Sequence, residues 1–248
     1  EQHELELLPL ADHRALDLFR DDRVWSPTRR LWHMVAVFDT RLVRNVPRRF
    51  DPRDALVVLA FIALSGAGAA LILVVAPKPG GPAAWMLRWA GGALLVYASF
   101  DALVGIVTTA YRGIGIEIPK AHDNPILSRS IREFWGHRWN RVVHAMLSDH
   151  CYAPLVRRRH ATLGVLSTFA ASALLHAWLI GVSSTLPMAA LMAGFFVLQG
   201  ILMLLEGPLG VRRWPAMRAR TWTIACILGS SPLFVEPMIR ACLPGPTP

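Results

Sequence analysis

The sequence predicts an all-α fold, a polytopic transmembrane helical bundle with an amphipathic or re-entrant helix on its cytoplasmic side. Three observations predict it. Of 248 residues, 54% are hydrophobic and 17% charged, and the mean hydropathy is positive at +0.39. The apolar residues gather in runs of about twenty, the length that crosses a hydrocarbon core as a helix. The basic residues are shared unequally between the two ends of those runs, as they are around membrane spans.

Two regions follow from the order of these features. Residues 1–54 form a basic N-terminal segment, read as cytoplasmic and amphipathic, in which "LWHMVAVF" is too short to span. Residues 55–248 form the membrane region with about five spans, at Ala55 to Ala76, Ala84 to Ala110, Ala161 to Val182, Pro187 to Leu205 and Trp222 to Leu243. The second carries Arg88 and Asp101, and the fifth is interrupted by Pro232, Glu236 and Pro237. Nothing at the N-terminus resembles a signal peptide and residue 1 is Glu, as expected of a chain that is a piece of a longer one.

Orientation is set by lysine and arginine, which are retained on the cytoplasmic side. Ten precede the first span, nine lie between the second and third, and four between the fourth and fifth, so 23 of the 26 agree on one topology. The exceptions are Lys78, Arg88 and Arg240. The N-terminus and the loop from Ile114 to Arg159 are therefore expected to face the cytoplasm. The net charge of +9 is accounted for by basic flanks meeting anionic lipid, with no nucleic acid required. Arg outnumbers Lys 24 to 2, a usage associated with GC-rich bacterial genomes, so the expected location is a bacterial cytoplasmic membrane. The three cysteines form no CxxC pair, and an odd count makes no complete disulfide framework.

Between the second and third spans stands "NPILSRSIREFWGHRWNRVV", Asn124 to Val143. On a helix, Ile131, Trp135, Trp139, Val142 and Met146 would make an apolar stripe, and Glu133, His137, Asn140, Arg141, His144 and Ser148 the opposite face. Asn124-Pro125 would start it, with proline at the first helical position. Such a helix is either an interfacial anchor, with Trp at headgroup level, or a re-entrant part of a site.

The third span has a single ionisable group, His176, about fifteen residues in from Ala161, which is roughly 20 Å along a helix. Intramembrane ionisable residues are costly, and they mark functional sites by default. Ser172 lies one turn back. The alternative is a neutral histidine hydrogen-bonded across a helix interface.

The pair "NPILSRSIREFWGHRWNRVV" and "SALLHAWL" resembles the membrane-bound O-acyltransferase superfamily, in its wax-synthase-like branch. The resemblance covers about a fifth of the chain, Asn124 to Trp178. It implies that residues 55–248 are an acyltransferase-like domain and that the catalytic pair is His176 and Asn140. It implies transfer of a fatty acyl group from acyl-CoA to the hydroxyl of a long-chain or other lipophilic alcohol within the lipid bilayer. Trp135, His137, Arg138, Trp139 and Ser172 are the expected substrate-binding residues. No cofactor is implied beyond acyl-CoA as donor substrate.

The chemistry is consistent with those residue types. A base near neutrality must take the hydroxyl proton, and histidine meets that need. An amide such as Asn140 orients a partner or donates to an oxyanion without adding a charge. Arg157, Arg158 and Arg159 stand either at the nucleotide end of the donor or at the inside end of the third span.

No metal is expected, because the histidines at 137, 144, 150 and 160 form no HxxHH cluster. Asp149-His150-Cys151 lacks the flanking cysteines of a zinc site. Asp101 is expected to pair structurally with an arginine of the aromatic block, while Glu206 and Glu236 are expected to be solvated at span ends. The competing function is a non-catalytic transporter or assembly subunit using His176 and Asp101 as polar relay groups.

Overall fold

The computed structural model describes residues 43–75, 80–118 and 120–242. The N-terminal reading therefore lies almost wholly outside the described residues, as do Lys78, Ala76 and Leu243. Four helices have spanning length and composition: α1 (Pro52–Ala70, continued by a wider turn over Leu71–Val75), α2 (Pro82–Gly113), α6 (Ala161–Ser183) and α7 (Leu186–Leu205). A fifth span is made by α8 (Ala216–Ser230) and α9 (Pro232–Cys242), bent by 42° at Ser231. Proline at the second helix's first position removes an N–H and fixes the break there, as Pro232 in the sequence suggests.

Start signals are local. Asp51 caps α1 by accepting from the Arg53 N–H at 3.0 Å, and prolines sit in the first turns of α1, α2 and α7. The first two spans cross where both are glycine. A Cβ on Gly68 would stand 2.6 Å from the Leu95 nitrogen, and one on Gly91 2.9 Å from the Gly68 carbonyl oxygen. This is the close small-residue contact expected without a hydrophobic driving force between helices. Ser65 and Ser99 add a 2.7 Å hydrogen bond across the same pair. A short ribbon of β1 (Arg44–Asn45) and β2 (Ile116–Glu117), antiparallel, ties the start of the described chain to the end of α2.

Two carboxylates differ from expectation. Glu236 is buried, not solvated, and holds Arg88 at 3.1 Å and Arg240 at 2.8 Å. These are two of the three basic residues that break the charge rule, and the glutamate between them offsets that exception. Glu206 is also buried; it accepts the N–H of Ile131 at 2.6 Å and of Arg132 at 3.2 Å. A helix start without internal partners needs such acceptors, and α7 supplies one from its far end.

The aromatic block is not one continuous helix. It runs as α3 (Ile131–Glu133), a π-helical turn Phe134–Arg138, a break, α4 (Arg141–Leu147), a second π-helical turn Ser148–Tyr152 and α5 (Ala153–Arg157). The Trp139 N–H reaches the Phe134 carbonyl at 2.8 Å, five residues back. Asn140 then takes the left-handed conformation, φ 40° and ψ 59°, which among non-glycine residues asparagine tolerates best. Asn124-Pro125 starts only a short 3-10 turn, Pro125–Leu127. The true cap is Ser130, whose Oγ accepts from the Glu133 N–H at 2.9 Å while Glu133 accepts from the Arg129 N–H at 2.7 Å, a reciprocal arrangement close to a capping box.

Candidate active site

His176 stands on α6, half-buried, with its ring 4.3 Å from Phe196 and 6.3 Å from Phe234. Its Nδ1 is 2.8 Å from the Ser172 carbonyl oxygen. A carbonyl only accepts, so Nδ1 carries the hydrogen and Nε2 is left as the lone-pair nitrogen of the neutral ring. Ser172 thus contributes through its backbone. The i−4 spacing of the helix fixes the tautomer and the ring at once.

The block reaches this helix pair through Trp135. Its indole N–H donates to Gln199 Oε1 at 3.1 Å, and Gln199 Nε2 donates to Ser230 Oγ at 2.7 Å. The Trp135 ring meets Phe169, Phe195 and Phe196 at centroid distances of 6.0, 6.1 and 6.0 Å. Trp135 and His176 therefore share Phe196 as a neighbour. Gln199 is fully buried, the lone amide in the run Leu186–Leu205, and its polar side chain in an apolar span was the signal that could have found it.

The other expected residues separate. Trp139 stacks on His122 at 4.3 Å and on Phe134 at 5.6 Å. Arg138 is held by Glu133 at 2.7 Å and by the Asp123 carbonyl at 2.9 Å. Burial would raise the Glu133 carboxyl, but the Arg129 N–H and the Arg138 guanidinium hold it below the usual carboxylate range. Arg138 thus fastens the block to itself and to residue 123. His137 is exposed. His144 is kept below the usual imidazole range by burial and then by neighbouring His137.

Asn140 caps α4, its Oδ1 3.4 Å from the Val143 N–H. Among the described residues no hydrogen bond joins it to His176. The backbone on either side of it instead pairs with residues 121–123: Arg141 N–H donates to Ala121 O and Asp123 N–H to Arg138 O, each at 2.9 Å. Between these lies a pair the sequence did not disclose. His122 Nδ1 is 2.7 Å from Asp101 Oδ1, so the partner of the buried aspartate is a histidine and not an arginine of the block.

Residues 118–198 match the model of the membrane bound O-acyl transferase family. The chain is 32% identical over 153 residues to the probable long-chain-alcohol O-fatty-acyltransferase 7 of Arabidopsis thaliana, covering 56% of this chain and 44% of that one. It is 28% identical over 163 residues to the probable long-chain-alcohol O-fatty-acyltransferase 3 of the same plant, covering 59% and 46%. It is 22% identical over 163 residues to its acyl-CoA–sterol O-acyltransferase 1, covering 60% and 47%. The matched stretch spans less than half of each of these relatives. The resemblance to the membrane-bound O-acyltransferase superfamily, in its wax-synthase-like branch, is shown by these matches. With four to five helices of spanning length, the chain is an integral, multi-pass membrane protein.

Proposed function

We propose that this chain carries the acyl-transfer centre of a membrane O-acyltransferase, moving a fatty acyl group from acyl-CoA to the hydroxyl of a lipophilic alcohol such as a long-chain alcohol. The observation that carries the reading is His176, with Nδ1 committed to Ser172 O and Nε2 left as base on the helix pair that the aromatic block contacts. The acceptor O–H gives its proton to Nε2 as its oxygen attacks the thioester carbonyl carbon. The tetrahedral intermediate then breaks its C–S bond, and the leaving thiolate takes the proton back from the imidazolium. The products are an ester and free CoA, with the histidine restored.

Asn140 uses its Oδ1 for the cap, so its amide hydrogens are the part left to meet an oxyanion or a substrate carbonyl. Trp135 and Trp139 form apolar walls, and His137 is exposed enough to meet the polar part of the donor. The nucleotide end of acyl-CoA is water-bound, and exposed Arg157, Arg158 and Arg159 are in keeping with a cytoplasmic loop that receives it. On this reading the N-terminus faces the cytoplasm and the membrane is a bacterial cytoplasmic one, which the distribution of the basic residues and the arginine usage support.

Two experiments test this. Membranes are incubated with labelled acyl-CoA and a panel of long-chain alcohols, sterols and diacylglycerols; ester formation on none of them sinks the reading. Topology is read with single reporter cysteines in a background lacking Cys151, Cys226 and Cys242. The inside reporter is Arg158→Cys and the outside one Thr185→Cys, both exposed positions. An impermeant reagent added to intact cells should label only the second, and labelling of the first instead would remove the donor argument.

A further inference from the structure

His122 and Asp101 make a second imidazole site that the transfer chemistry leaves unused. The His122 side chain is 7% exposed and that of Asp101 13%. Its ring is enclosed by Trp139 at 4.3 Å, Phe100 at 4.8 Å and Tyr97 at 6.1 Å. Asp101 occupies Nδ1, and Tyr97 lies close to the same carboxylate. Nε2 is buried and has no hydrogen-bond partner among the described residues. A buried polar atom without a partner is costly, and native proteins rarely leave one.

The chemistry of the site defines what Nε2 would take. A carboxylate is an acceptor, so the neutral ring keeps its hydrogen on Nδ1 and offers a lone pair at Nε2. That atom calls for a donor. Of the two reacting groups, the thioester has only lone pairs, whereas an alcohol has an O–H. Aromatic walls suit an apolar body. The Asp101 carboxylate behind the ring repels phosphate and carboxylate, and Arg138 of the block is already engaged by Glu133 and the Asp123 carbonyl. We propose that His122, oriented by Asp101, is a docking residue for a neutral lipophilic molecule bearing a single hydroxyl. On the reading above this ligand is the acyl acceptor at a waiting position, and its hydroxyl leaves His122 Nε2 before it reaches His176. The two imidazoles are linked by the rings of Trp139, Trp135 and Phe196, with centroid steps of 4.3, 6.5, 6.0 and 4.3 Å. His122 thus binds the acceptor at one end of an aromatic wall whose other end is His176, and is not itself the base.

The test is equilibrium binding of a tritiated long-chain alcohol to the full chain in detergent, with its methyl ether as the comparison. The ether keeps the oxygen and loses only the donor. Wild type should prefer the alcohol about tenfold, the scale of one net hydrogen bond, and the preference should persist in His176→Gln. It should vanish in His122→Asn, whose amide reproduces Nδ1 against Asp101 but has nothing at the Nε2 position. His122→Gln, with an amide at the Nε2 position, should retain part of it. Equal binding of alcohol and ether by wild type, or an unchanged preference in His122→Asn, overturns the proposal. Preserved binding with no ester formed by wild type would instead overturn the acyl-transfer reading and leave the docking site standing.

Discussion

His176 and His122 are both half- or fully buried imidazoles whose Nδ1 is taken by an oxygen 2.8 or 2.7 Å away, yet they are held by different means. His176 is fixed by its own helix, through a carbonyl four residues back, and its ring lies among phenylalanines. His122 sits in an irregular segment, so its helix cannot supply the acceptor, and a carboxylate from α2 does. The difference teaches how much of each site a sequence can display. A backbone partner is implied by helical periodicity alone, whereas a side-chain partner twenty-one residues away is known only once α2 and the loop are packed together.

The largest effect should come from breaking the first of the two. His176→Ala and His176→Gln should each lower turnover by about a hundred to ten thousandfold, the usual loss of a positioned general base, while folded yield and alcohol binding persist. Folding should survive because the lost partner is one hydrogen bond inside a membrane, about a kcal/mol. Glutamine with wild-type turnover would make His176 structural and would leave the aspartate-held imidazole as the better base.

Asn140 separates the two sites next. If its amide meets the reacting atoms, Asn140→Asp and Asn140→Gly should both lose about a hundredfold in kcat, the scale of one oxyanion donor. Both substitutions suit the left-handed backbone, aspartate through its short side chain and glycine through its missing Cβ, and aspartate also keeps the cap acceptor. Strain therefore does not confuse the result. An Asp variant with wild-type kcat would reduce Asn140 to the capping role its geometry displays and would weaken its link to His176.

The spans were legible because a bilayer imposes a length and a composition on any helix that crosses it. Over the described residues all five candidate runs are helical, and the kink expected of the fifth falls at Ser231 beside Pro232. The aromatic block was legible as helical but not as broken, since period-counting cannot see the π-helical turn at Phe134–Arg138 or the left-handed residue that follows it. Glu206 and Glu236 were misplaced for a related reason. Each sits near a span end, where water is the default partner, and only the packing of α3 on α7 and of α9 on α2 provides the better one.

Gln199 tests the connection between the block and the His176 helix pair. Gln199→Leu strands the Trp135 indole N–H and frees Ser230, and an unsatisfied buried donor costs roughly 1 to 3 kcal/mol. Thermal stability in detergent should fall accordingly. Trp135→Phe in the same chain removes the stranded donor, so the double variant should be more stable than the sum of the single losses implies. Strict additivity would show that the bond between indole and amide holds nothing, and that ring packing alone docks the block.

The smallest effect concerns a third way of holding a buried ionisable group, Glu206 with two backbone N–H donors. Burial raises its carboxyl above the usual range, against the hydrogen bonds from Ile131 and Arg132, which lower it. A group whose folded pKa lies above its unfolded one contributes stability that is fully present below the unfolded value and is lost as pH rises through the folded value. The unfolded carboxyl titrates at about 4.3, so wild type should lose stability as pH climbs above that value. Glu206→Gln keeps a carbonyl acceptor for one of the two N–H groups and never ionises, so that slope should flatten. Its absolute stability at neutral pH should change by less than about 1 kcal/mol, because the lost second acceptor and the removed charge act in opposite directions. Thermal melts of both proteins across this pH window check the sign. An unchanged slope in the variant would mean that the burial of Glu206 is relieved by water, and that α3 is held by its Ser130 cap and not by the end of α7.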